Sequence, residues 1–341
     1  MRPTIAVAVS GGVDSLMSAH LLKQSGYRVF GLHFITGFET EPAAIDTLSD
    51  QLGIRIDVVD IRNEFKQRVV DYFTATYEAC RTPNPCLVCN PTIKFGVLYD
   101  MAEKKGAAKL ATGHYARVRS DDQGRFHLHK GVDSKKDQAY FLAFLTQRQL
   151  SRACFPLGKY SKEQVKMLAA QKGLRPITAQ ESQDVCFIKG PNYSDFLTSQ
   201  TGIKSQPGDI VNKNGTVVGR HDGLHRFTIG QRRGINCPAS EPYYVLRIDR
   251  DNNQLVVGGK HQLLSDRCRV DHVNWIQPPA SDAIRVLVKV RYRHAAVPAT
   301  VHPDRADQAA VHFDAPEAAL TPGQGAVFYD GDEVLGGGFI A

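Results

Sequence analysis

The stretch Ser10-Gly11-Gly12-Val13-Asp14-Ser15 follows the apolar run Ile5-Ala6-Val7-Ala8-Val9 and leads into an apolar segment that begins at Leu16. This order predicts a strand, a glycine-containing turn and the first residues of a helix. Glycine lets the backbone turn sharply and approach a ligand closely, while the free N–H groups at a helix N-terminus attract an anion. The stretch therefore predicts a phosphate-binding loop; the alternative is an ordinary turn in which Ser10 or Asp14 caps the helix.

The spacing within this loop excludes two common nucleotide-binding motifs. It has neither the GxxxxGK[ST] spacing of the Walker loop nor the third glycine of the GxGxxG dinucleotide fingerprint. The string S-G-G-x-D-S resembles instead the PP-loop of ATP pyrophosphatases. That resemblance implies an enzyme that releases pyrophosphate from ATP and leaves AMP on a substrate oxygen.

Three textures follow one another along the chain. Up to about residue 200, short apolar runs alternate with helical patterns, predicted at 42–52, 64–79, 95–105 and 161–172, as in a parallel sheet covered by helices. Glycine-punctuated hairpin signals then appear, and alternating segments follow, among them residues 284–292. We expect an α/β, Rossmann-like PP-loop domain at 1–204, a central β-rich module at 205–267 and a C-terminal antiparallel β-barrel at 268–341.

The composition bounds the partners and the compartment. The chain has 42 Lys and Arg residues against 35 Asp and Glu residues, a net charge of +7 that suits a polyanionic partner. No apolar stretch approaches the ~20 residues of a membrane span, and the N-terminus has no signal-peptide pattern. We therefore expect a cytoplasmic protein without a membrane partner. In that compartment its 7 cysteines favour catalytic, metal-binding or packing roles over structural disulfides.

Cys80, Cys86 and Cys89 lie close together, and Pro83 and Pro85 predict that the last two cysteines lie on a shaped loop. Four interpretations remain open from the residues alone. In the first, the cysteines bind a structural zinc ion, and in the second they form a redox dithiol. In the third, they bind an iron–sulfur cluster together with a distant cysteine. In the fourth, they are nucleophiles that work with the adenylating loop.

A family resemblance narrows these alternatives. Residues 82–95, T-P-N-P-C-L-V-C-N-P-T-I-K-F, are similar to the signature T-P-N-P-x-x-x-C-N-x-x-I-K-F of the tRNA-specific 2-thiouridylases. Matching motifs follow in the family's order at residues 111–117, 136–142, 181–188, 221–223, 227–232, 291–292, 322–324 and 336–338. The resemblance covers nearly the whole chain and implies a tRNA-uridine 2-sulfurtransferase that acts on the wobble uridine, the first anticodon position.

The resemblance also implies roles for individual residues. ATP contacts are implied for Ala8, Val9, Ser10, Gly11, Gly12, Val13, Asp14, Ser15, Phe34 and Gly113. Contacts with the target uridine are implied for Asn84, Pro85 and Cys86, and contacts with tRNA for His114, Lys136, Asp137, Gln138, Arg291, Tyr292 and Gln324. Cys89 corresponds to the family's nucleophile, and Cys186 corresponds to the cysteine that carries persulfide sulfur.

The implied chemistry needs these residue types. The C2 carbonyl of uracil is a poor electrophile, and adenylation of its oxygen creates a good leaving group that sulfur displaces. Cysteine is intrinsically nucleophilic, and Arg81 or Lys94 is a candidate for lowering the pKa of Cys89. Mg²⁺ together with Lys and Arg would neutralise the separating phosphates. The anticodon arm is the expected partner, because an unpaired loop base splays out at modest cost.

Three residues depart from the family pattern. Cys86 stands where many members carry aspartate, so Cys86, Cys89 and Cys186 are possible ligands of a [4Fe-4S] cluster, an alternative to a persulfide route. Cys80 stands where glycine or another small residue is usual, and its role stays open. Phe34 replaces a methionine, and its ring can stack on adenine.

Two alternative functions belong to other classes. One is a PP-loop enzyme that adenylates a small molecule, and the other is a non-catalytic tRNA-binding or iron–sulfur carrier protein. The basic β-rich half and the cysteine-bearing loops disfavour the first, while the intact Ser10–Ser15 loop and Cys89 disfavour the second. The sulfur donor, a persulfide or sulfide donor protein or molecule, is not identified by the sequence.

Overall fold

The computed structural model describes residues 2–39, 44–177, 185–189, 192–238, 240–305 and 307–341. Residues 181–184 of the motif that contains Cys186 lie outside these ranges. The described strands form three sheets, one parallel, one mixed and one antiparallel. This arrangement confirms the expected α/β fold with a β-rich module and a C-terminal barrel.

The first sheet is parallel and carries the glycine loop. Its strands, in spatial order, are Ile56–Asp60, Arg28–Ile35, Thr4–Ala8, Lys109–Ala111 and Ala153–Cys154. The central strand Thr4–Ala8 is almost entirely buried, as expected for an apolar strand with helices on both faces of its sheet. The loop after it therefore lies at the carboxyl edge of the sheet, where ligands bind in open α/β sheets.

Helices cover this sheet. The α-helices are Val13–Gln24, Ile45–Leu52, Arg62–Phe65, Asp71–Glu78, Pro85–Cys89, Tyr99–Lys104, Gln147–Arg152, Lys162–Gln171 and Tyr193–Gln200. Two π-helical segments, Lys66–Val70 and Asn90–Leu98, join neighbouring α-helices into longer runs. Short 3₁₀ turns occur at Ala139–Leu142, Pro156–Lys159, Leu224–Arg226 and Lys260–Leu263. The helix predicted at 161–172 is confirmed, and the described part of the one predicted at 42–52 is helical from Ile45 to Leu52.

Cys86 and Cys89 lie on a helix, so the expectation of a loop is wrong. The helical run begins at Pro85 and continues through the π-helical segment Asn90–Leu98 to Lys104. Pro85 occupies the first helical position, where its fixed φ suits a helix and its missing N–H costs nothing. Pro91 lies within the π-helical part, and Gln149 donates hydrogen bonds to the carbonyl oxygens of Pro91 (2.7 Å) and Phe95 (3.1 Å).

The second sheet belongs to the central module. Its strands, in spatial order, are Tyr244–Asp249, Gln254–Gly258, Gly208–Asn212 and Val217–His221. The middle pair is parallel and the two outer pairs are antiparallel. A small apolar core that includes Ile210, Leu255 and Val257 lies against it.

The third sheet closes into a barrel. Its strands are Leu264–Trp275, Gln308–Ala318, Val297–Pro303, Ile284–Lys289, Gly325–Asp330 and Glu333–Ile340, and the first pairs with the last. The strand predicted over 284–292 ends at Lys289, because the chain turns there and the N–H of His294 bonds to the carbonyl of Arg291 at 3.1 Å. The hairpin Ala116–Ser120 and Phe126–Lys130 of the N-terminal half pairs with Glu333–Val334 and extends this sheet.

Candidate functional site

The glycine loop meets the helix Val13–Gln24 directly. Gly12 is the N-cap residue, and no side chain caps this helix, so the alternative of a turn capped by Ser10 or Asp14 is wrong. Gly11 has φ +83°, a left-handed conformation that favours glycine. The Ser15 hydroxyl donates to the carbonyl of Gly12 at 2.8 Å and lies 3.4 Å from the Ser10 hydroxyl. Backbone curvature and two hydroxyl groups thus surround the helix N-terminus.

Gly113 packs directly on this loop. A Cβ at Gly113 would lie 2.9 Å from the Cβ of Asp14 and 3.2 Å from the backbone nitrogen of Ser15. A side chain would therefore push the second segment away from the helix N-terminus. Phe34 lies half-buried near the carboxyl end of the neighbouring strand Arg28–Ile35.

Asp14 is held by a lysine that sequence reasoning missed. The ammonium of Lys162 lies 2.8 Å from Oδ1 and 2.7 Å from Oδ2 of Asp14, and the Tyr115 hydroxyl donates to Oδ1 at 2.8 Å. The Lys162 side chain is only 8% exposed. The available signal was the capping box of Ser161 and Gln164, which fixes Lys162 as the first residue of its helix. That pattern does not reveal which loop the lysine faces.

Cys86, Cys89 and Cys186 all lie within electrostatic range of one ammonium group, that of Lys94. Lys94 lies on the same helical run as Cys86 and Cys89 and acts electrostatically on all three thiols. Cys186 in turn acts electrostatically on Cys86 and Cys89, so residues almost a hundred positions apart in the sequence lie close together in the fold. The Cys186 residue is exposed, whereas Cys86 and Cys89 are partly buried. Cys186, the most exposed of the three residues, thus lies close enough to the other two for their thiols to interact electrostatically.

The thiols of this group are held in the neutral form. Burial raises the pKa of Cys86 to about 11 and that of Cys89 to about 12. Desolvation by the surrounding protein also raises the pKa of Cys186. The ammonium of Lys94 lowers the pKa of each thiol and opposes these shifts only in part. At neutral pH the three cysteines are therefore thiols rather than thiolates.

His114 lies beside Lys94 in the protein interior. The two nitrogen atoms, Nζ of Lys94 and Nε2 of His114, are 3.4 Å apart, and Nδ1 of His114 is 2.7 Å from the Thr112 hydroxyl. Because an ammonium only donates, Nε2 accepts and Nδ1 carries the hydrogen. Burial, followed by the charge of Lys94, lowers the pKa of His114 well below its ordinary value. The imidazole is thus neutral and fixes the position of the ammonium.

The C-terminal barrel holds the segment before Cys86. The amide of Gln324 donates to the carbonyl oxygens of Thr82 and Pro83 at 3.1 Å each, and the N–H of Thr82 bonds to the carbonyl of Pro322 at 2.8 Å. Gly323 has φ +89°, and a Cβ there would lie 2.8 Å from the Thr82 oxygen. The motif Pro322-Gly323-Gln324 therefore positions Asn84 and Pro85, which are buried at the start of the helix.

Tyr292 brings the barrel to the cysteines. Its ring centroid lies 4.3 Å from that of Phe141, and its hydroxyl is close enough to Cys86 for the two groups to interact electrostatically. Arg291 is exposed and donates to the carbonyl of Ala318 at 3.3 Å. The turn after Lys289 thus directs an aromatic ring toward the thiols and leaves a cation at the surface.

Lys136, Asp137 and Gln138 form a turn beside this region. The carboxylate of Asp137 is buried and accepts from the backbone N–H groups of Gly131 (3.0 Å) and Ala139 (3.1 Å). The side-chain oxygen of Gln138 accepts from the N–H of Tyr115 at 3.1 Å. Both side chains are engaged within the protein, and they fix the turn that carries Lys136.

Cys80 lies apart from this group. It packs against the small core of the central module, and the charge that acts on its thiol is that of Arg250. Its φ is +56°, and the N–H groups of Cys80 and Arg81 bond to the carbonyls of Tyr77 and Thr76, a Schellman helix end. The usual glycine at this position is explained by the left-handed backbone. Within the described ranges, no three His, Cys, Asp or Glu side chains converge as a metal site.

Comparisons with known proteins match the chain along its whole length. Residues 3–190 match the model of the tRNA methyl transferase HUP domain, 194–259 that of the tRNA methyl transferase PRC-barrel domain and 265–340 that of the aminomethyltransferase β-barrel domain. The chain is similar to proteins called tRNA-specific 2-thiouridylase MnmA. The one from Desulfosudis oleivorans is 52% identical over 99% of this chain and 95% of that protein. The one from Geobacter metallireducens is 42% identical over 99% and 97%.

Proposed function

The chain belongs to the tRNA-specific 2-thiouridylase family and forms 2-thiouridine in tRNA, and we propose that it acts on the wobble uridine through Cys89 and Cys186. The observation that carries this proposal is the grouping of both thiols around Lys94, in a chain that also holds an intact PP-loop. Identity of 52% over nearly the full length of a relative disfavours an adenylating enzyme for small molecules and a non-catalytic carrier.

The first step is adenylation at the PP-loop. The uracil O2 attacks the α-phosphorus of ATP, the bond to the β-phosphate breaks, and pyrophosphate leaves with the electron pair. Ala8–Ser15 would bind the phosphates through the backbone and the helix N-terminus, with Phe34 and Gly113 beside the nucleoside. Lys162 supplies a buried positive charge next to this loop, which suits the charge that develops as pyrophosphate separates.

Asp14 fits a role in binding Mg²⁺. This ion is commonly held by one or two carboxylates together with substrate phosphates, and Asp14 is the carboxylate of the phosphate loop. Its oxygens contact Lys162 and Tyr115, which hold the carboxylate in place. When bound, Mg²⁺ would neutralise phosphate charge in the reaction. The protein's own contribution is to position one carboxylate and one ammonium at the same phosphate group.

The second step is sulfur transfer between the two thiols. A persulfide on Cys186 attacks C2 of the adenylated uridine through its terminal sulfur. The thiolate of Cys89 then attacks the inner sulfur of Cys186, a Cys89–Cys186 disulfide forms, the sulfur stays on C2 as the thiocarbonyl, and AMP leaves. A thiol reductant restores both cysteines. The exposure of Cys186 supports loading by an external persulfide or sulfide donor, and the recessed position of Cys89 supports the resolving role.

The residues do not fit a [4Fe-4S] cluster. Cluster ligands are thiolates that converge on one site. In the described part of the chain Cys86, Cys89 and Cys186 do not converge as such a group. We therefore derive no step through a cluster.

The tRNA contacts follow from the same arrangement. We propose that residues 1–204 adenylate and thiolate, that 205–267 bind tRNA, and that 268–341 grip the anticodon arm. Asn84 and Pro85 lie at the start of the helix that carries Cys86, and Tyr292 is within electrostatic range of Cys86, an arrangement that suits an extruded base. Lys136 and Arg291 are the cations that we propose bind phosphates, whereas the side chains of His114, Asp137, Gln138 and Gln324 form hydrogen bonds within the protein.

One assay tests this function. Purified enzyme is incubated with unmodified tRNA, ATP and sulfide or a persulfide donor, and the nucleosides are analysed by mass spectrometry. We expect 2-thiouridine at the wobble position, with AMP and pyrophosphate released in equal amounts. If the folded enzyme releases AMP and pyrophosphate from ATP but forms no 2-thiouridine, the proposal is overturned. We place the reaction in the cytoplasm, and no helix among the described residues is long and apolar enough to cross a membrane.

A further inference from the structure

A cavity lies on the central module, away from the cysteines of the proposed reaction. Its volume is about 480 Å³, and it opens between the N-terminus of the helix Tyr193–Gln200 and the end of the strand Val217–His221. The loop after Arg226 forms the third side. Neither the phosphate loop nor the thiols line it, so the proposed reaction leaves it without a role.

Besides the Tyr193 hydroxyl, two buried polar atoms of the described residues that line this cavity lack partners. Among the described residues, Oγ of Ser194 and Nδ1 of His221 have no hydrogen-bond partner, although the two residues are only 2% and 4% exposed. Nε2 of His221 lies 3.2 Å from the carbonyl oxygen of Asn253 and therefore carries the hydrogen. Nδ1 is then an acceptor. Such groups are costly to bury unpaired, and they call for a ligand with a hydroxyl group.

The same cavity is basic. Arg220, Arg226 and Arg233 line it together with one acidic residue, Asp222. Arg226 lies 3.8 Å from the Asp222 carboxylate, a long contact that leaves most guanidinium donors available for an anion. The cavity also includes the N-terminus of an eight-residue helix, where the helix dipole favours negative charge. Cations, a hydroxyl and a neutral imidazole acceptor together match a phosphate joined to a ribose.

We propose that this cavity binds one nucleotide of the tRNA backbone, with its phosphate on the arginines and its ribose 2′-hydroxyl on Ser194 and His221. This inference rests on the proposed function, because it takes tRNA as the substrate. The 2′-hydroxyl is the group that distinguishes RNA from DNA, and an imidazole acceptor is a suitable partner for it. Burial lowers the pKa of His221, which keeps the ring neutral and Nδ1 free of a proton.

The position of the cavity connects tRNA to the persulfide segment. The helix Tyr193–Gln200 begins seven residues after Cys186. Phe187 and Phe196 from the two segments pack together at 5.3 Å, and Tyr193 stacks on Tyr77 of the adenylating domain at 4.8 Å. A nucleotide bound at the start of this helix would therefore dock against the same aromatic cluster that carries Cys186.

Paired arginine and lysine variants test the proposal. Arg220→Gln with Arg233→Gln removes two exposed charges from the cavity, and Lys213→Gln with Lys260→Gln removes two exposed charges elsewhere on the same module. The dissociation constant for unmodified tRNA is measured across a series of KCl concentrations. For the arginine pair we expect about a tenfold weaker complex and a log–log salt slope reduced by about 0.7, the value for one phosphate contact, with the lysine pair near wild type.

Charge-preserving and chemical controls complete the experiment. Arg220→Lys with Arg233→Lys should restore the salt slope, and ethylation of the one contacted tRNA phosphate should weaken binding to wild type about tenfold without further weakening the glutamine variant. Equal effects of the arginine and lysine pairs, or an unchanged slope, would overturn the proposal. If the wild-type enzyme thiolates tRNA and the arginine-to-glutamine variant binds tRNA as tightly as wild type, this inference is wrong and the proposed function stands. Wild type that forms no 2-thiouridine defeats the proposed function instead.

Discussion

The phosphate loop and the cysteine group are built in opposite ways. The loop comes from six consecutive residues between a strand and a helix, and its ligand-binding groups are mainly backbone atoms. The cysteine group is assembled from the helical run after Pro85, the segment around Cys186 and the barrel turn at Tyr292. ATP chemistry therefore depends on local sequence, whereas sulfur chemistry depends on the packing of distant segments.

The two regions also differ in their charge. Asp14 forms an ion pair with Lys162, so the loop has this charge pair in place before ATP arrives. The thiols of Cys86 and Cys89 are uncharged at neutral pH, because burial outweighs the single charge of Lys94. The comparison indicates that adenylation is ready in the free enzyme, while the nucleophile is activated only later in the cycle.

The largest effect is expected at the two catalytic thiols. Cys89→Ala or Cys186→Ala should lower the rate of 2-thiouridine formation by at least about a thousandfold, because in the proposed mechanism Cys186 carries the persulfide and Cys89 resolves it. Single-turnover assays with nucleoside mass spectrometry measure this rate. Cys154→Ala, which removes a thiol from the strand Ala153–Cys154, is the control and should retain activity. Thiolation that survives both changes would refute the roles of the two residues.

The next effect concerns Lys162 and separates activity from stability. Lys162→Met should slow tRNA-dependent pyrophosphate release by about a hundredfold, because one positive group at the separating phosphates is lost. It should also lower the midpoint of thermal unfolding, because Asp14 is left unpaired. Asp14→Asn with Lys162→Met should recover the midpoint without recovering activity. Lys172→Met, at the end of the same helix, is the matched control. Normal pyrophosphate release in Lys162→Met would contradict the assignment.

A smaller effect is expected from the ammonium beside the thiols. Because Lys94 lowers the pKa of Cys86, Cys89 and Cys186, Lys94→Met should raise these pKa values further. Thiolation requires the thiolate, so its rate rises with pH, and the profile of the variant should shift to higher pH with about a tenfold loss at neutral pH. Single-turnover thiolation and thiol alkylation across pH test this. A shift of the profile to lower pH would show that the sign is wrong.

The smallest effect is expected at Cys86. The persulfide route uses two thiols, so Cys86→Ser should keep 2-thiouridine formation within about threefold of wild type. A cluster mechanism needs a third ligand and would lose activity completely. The rate is measured with an iron determination on the same anaerobic sample. Loss of both iron and activity in this variant would favour the cluster over the two-thiol route.

Local motifs predicted much of the fold, and tertiary contacts explain what they missed. The loop Ser10–Ser15, the parallel sheet and the barrel follow from glycine spacing and hydrophobic periodicity. The sequence predicts a loop at Cys86 because proline breaks a helix interior. Pro85 instead occupies the first helical position, which proline suits. Lys162 was missed because a surface-type residue at a helix start gives no sign of the carboxylate that it faces. The left-handed backbone at Cys80 could not be predicted either, because a cysteine, unlike a glycine, does not indicate a positive φ.

The central claim, that adenylation and sulfur transfer are separate steps carried by the two regions, is tested most directly by trapping the intermediate. Cys89→Ala with Cys186→Ala is incubated with unmodified tRNA and ATP labelled at the α-phosphate, and the label on tRNA is measured after rapid quenching. We predict that label accumulates on tRNA with release of pyrophosphate and without 2-thiouridine. Absence of both label and pyrophosphate, in a folded variant that binds ATP and tRNA, would contradict the separation of the two steps.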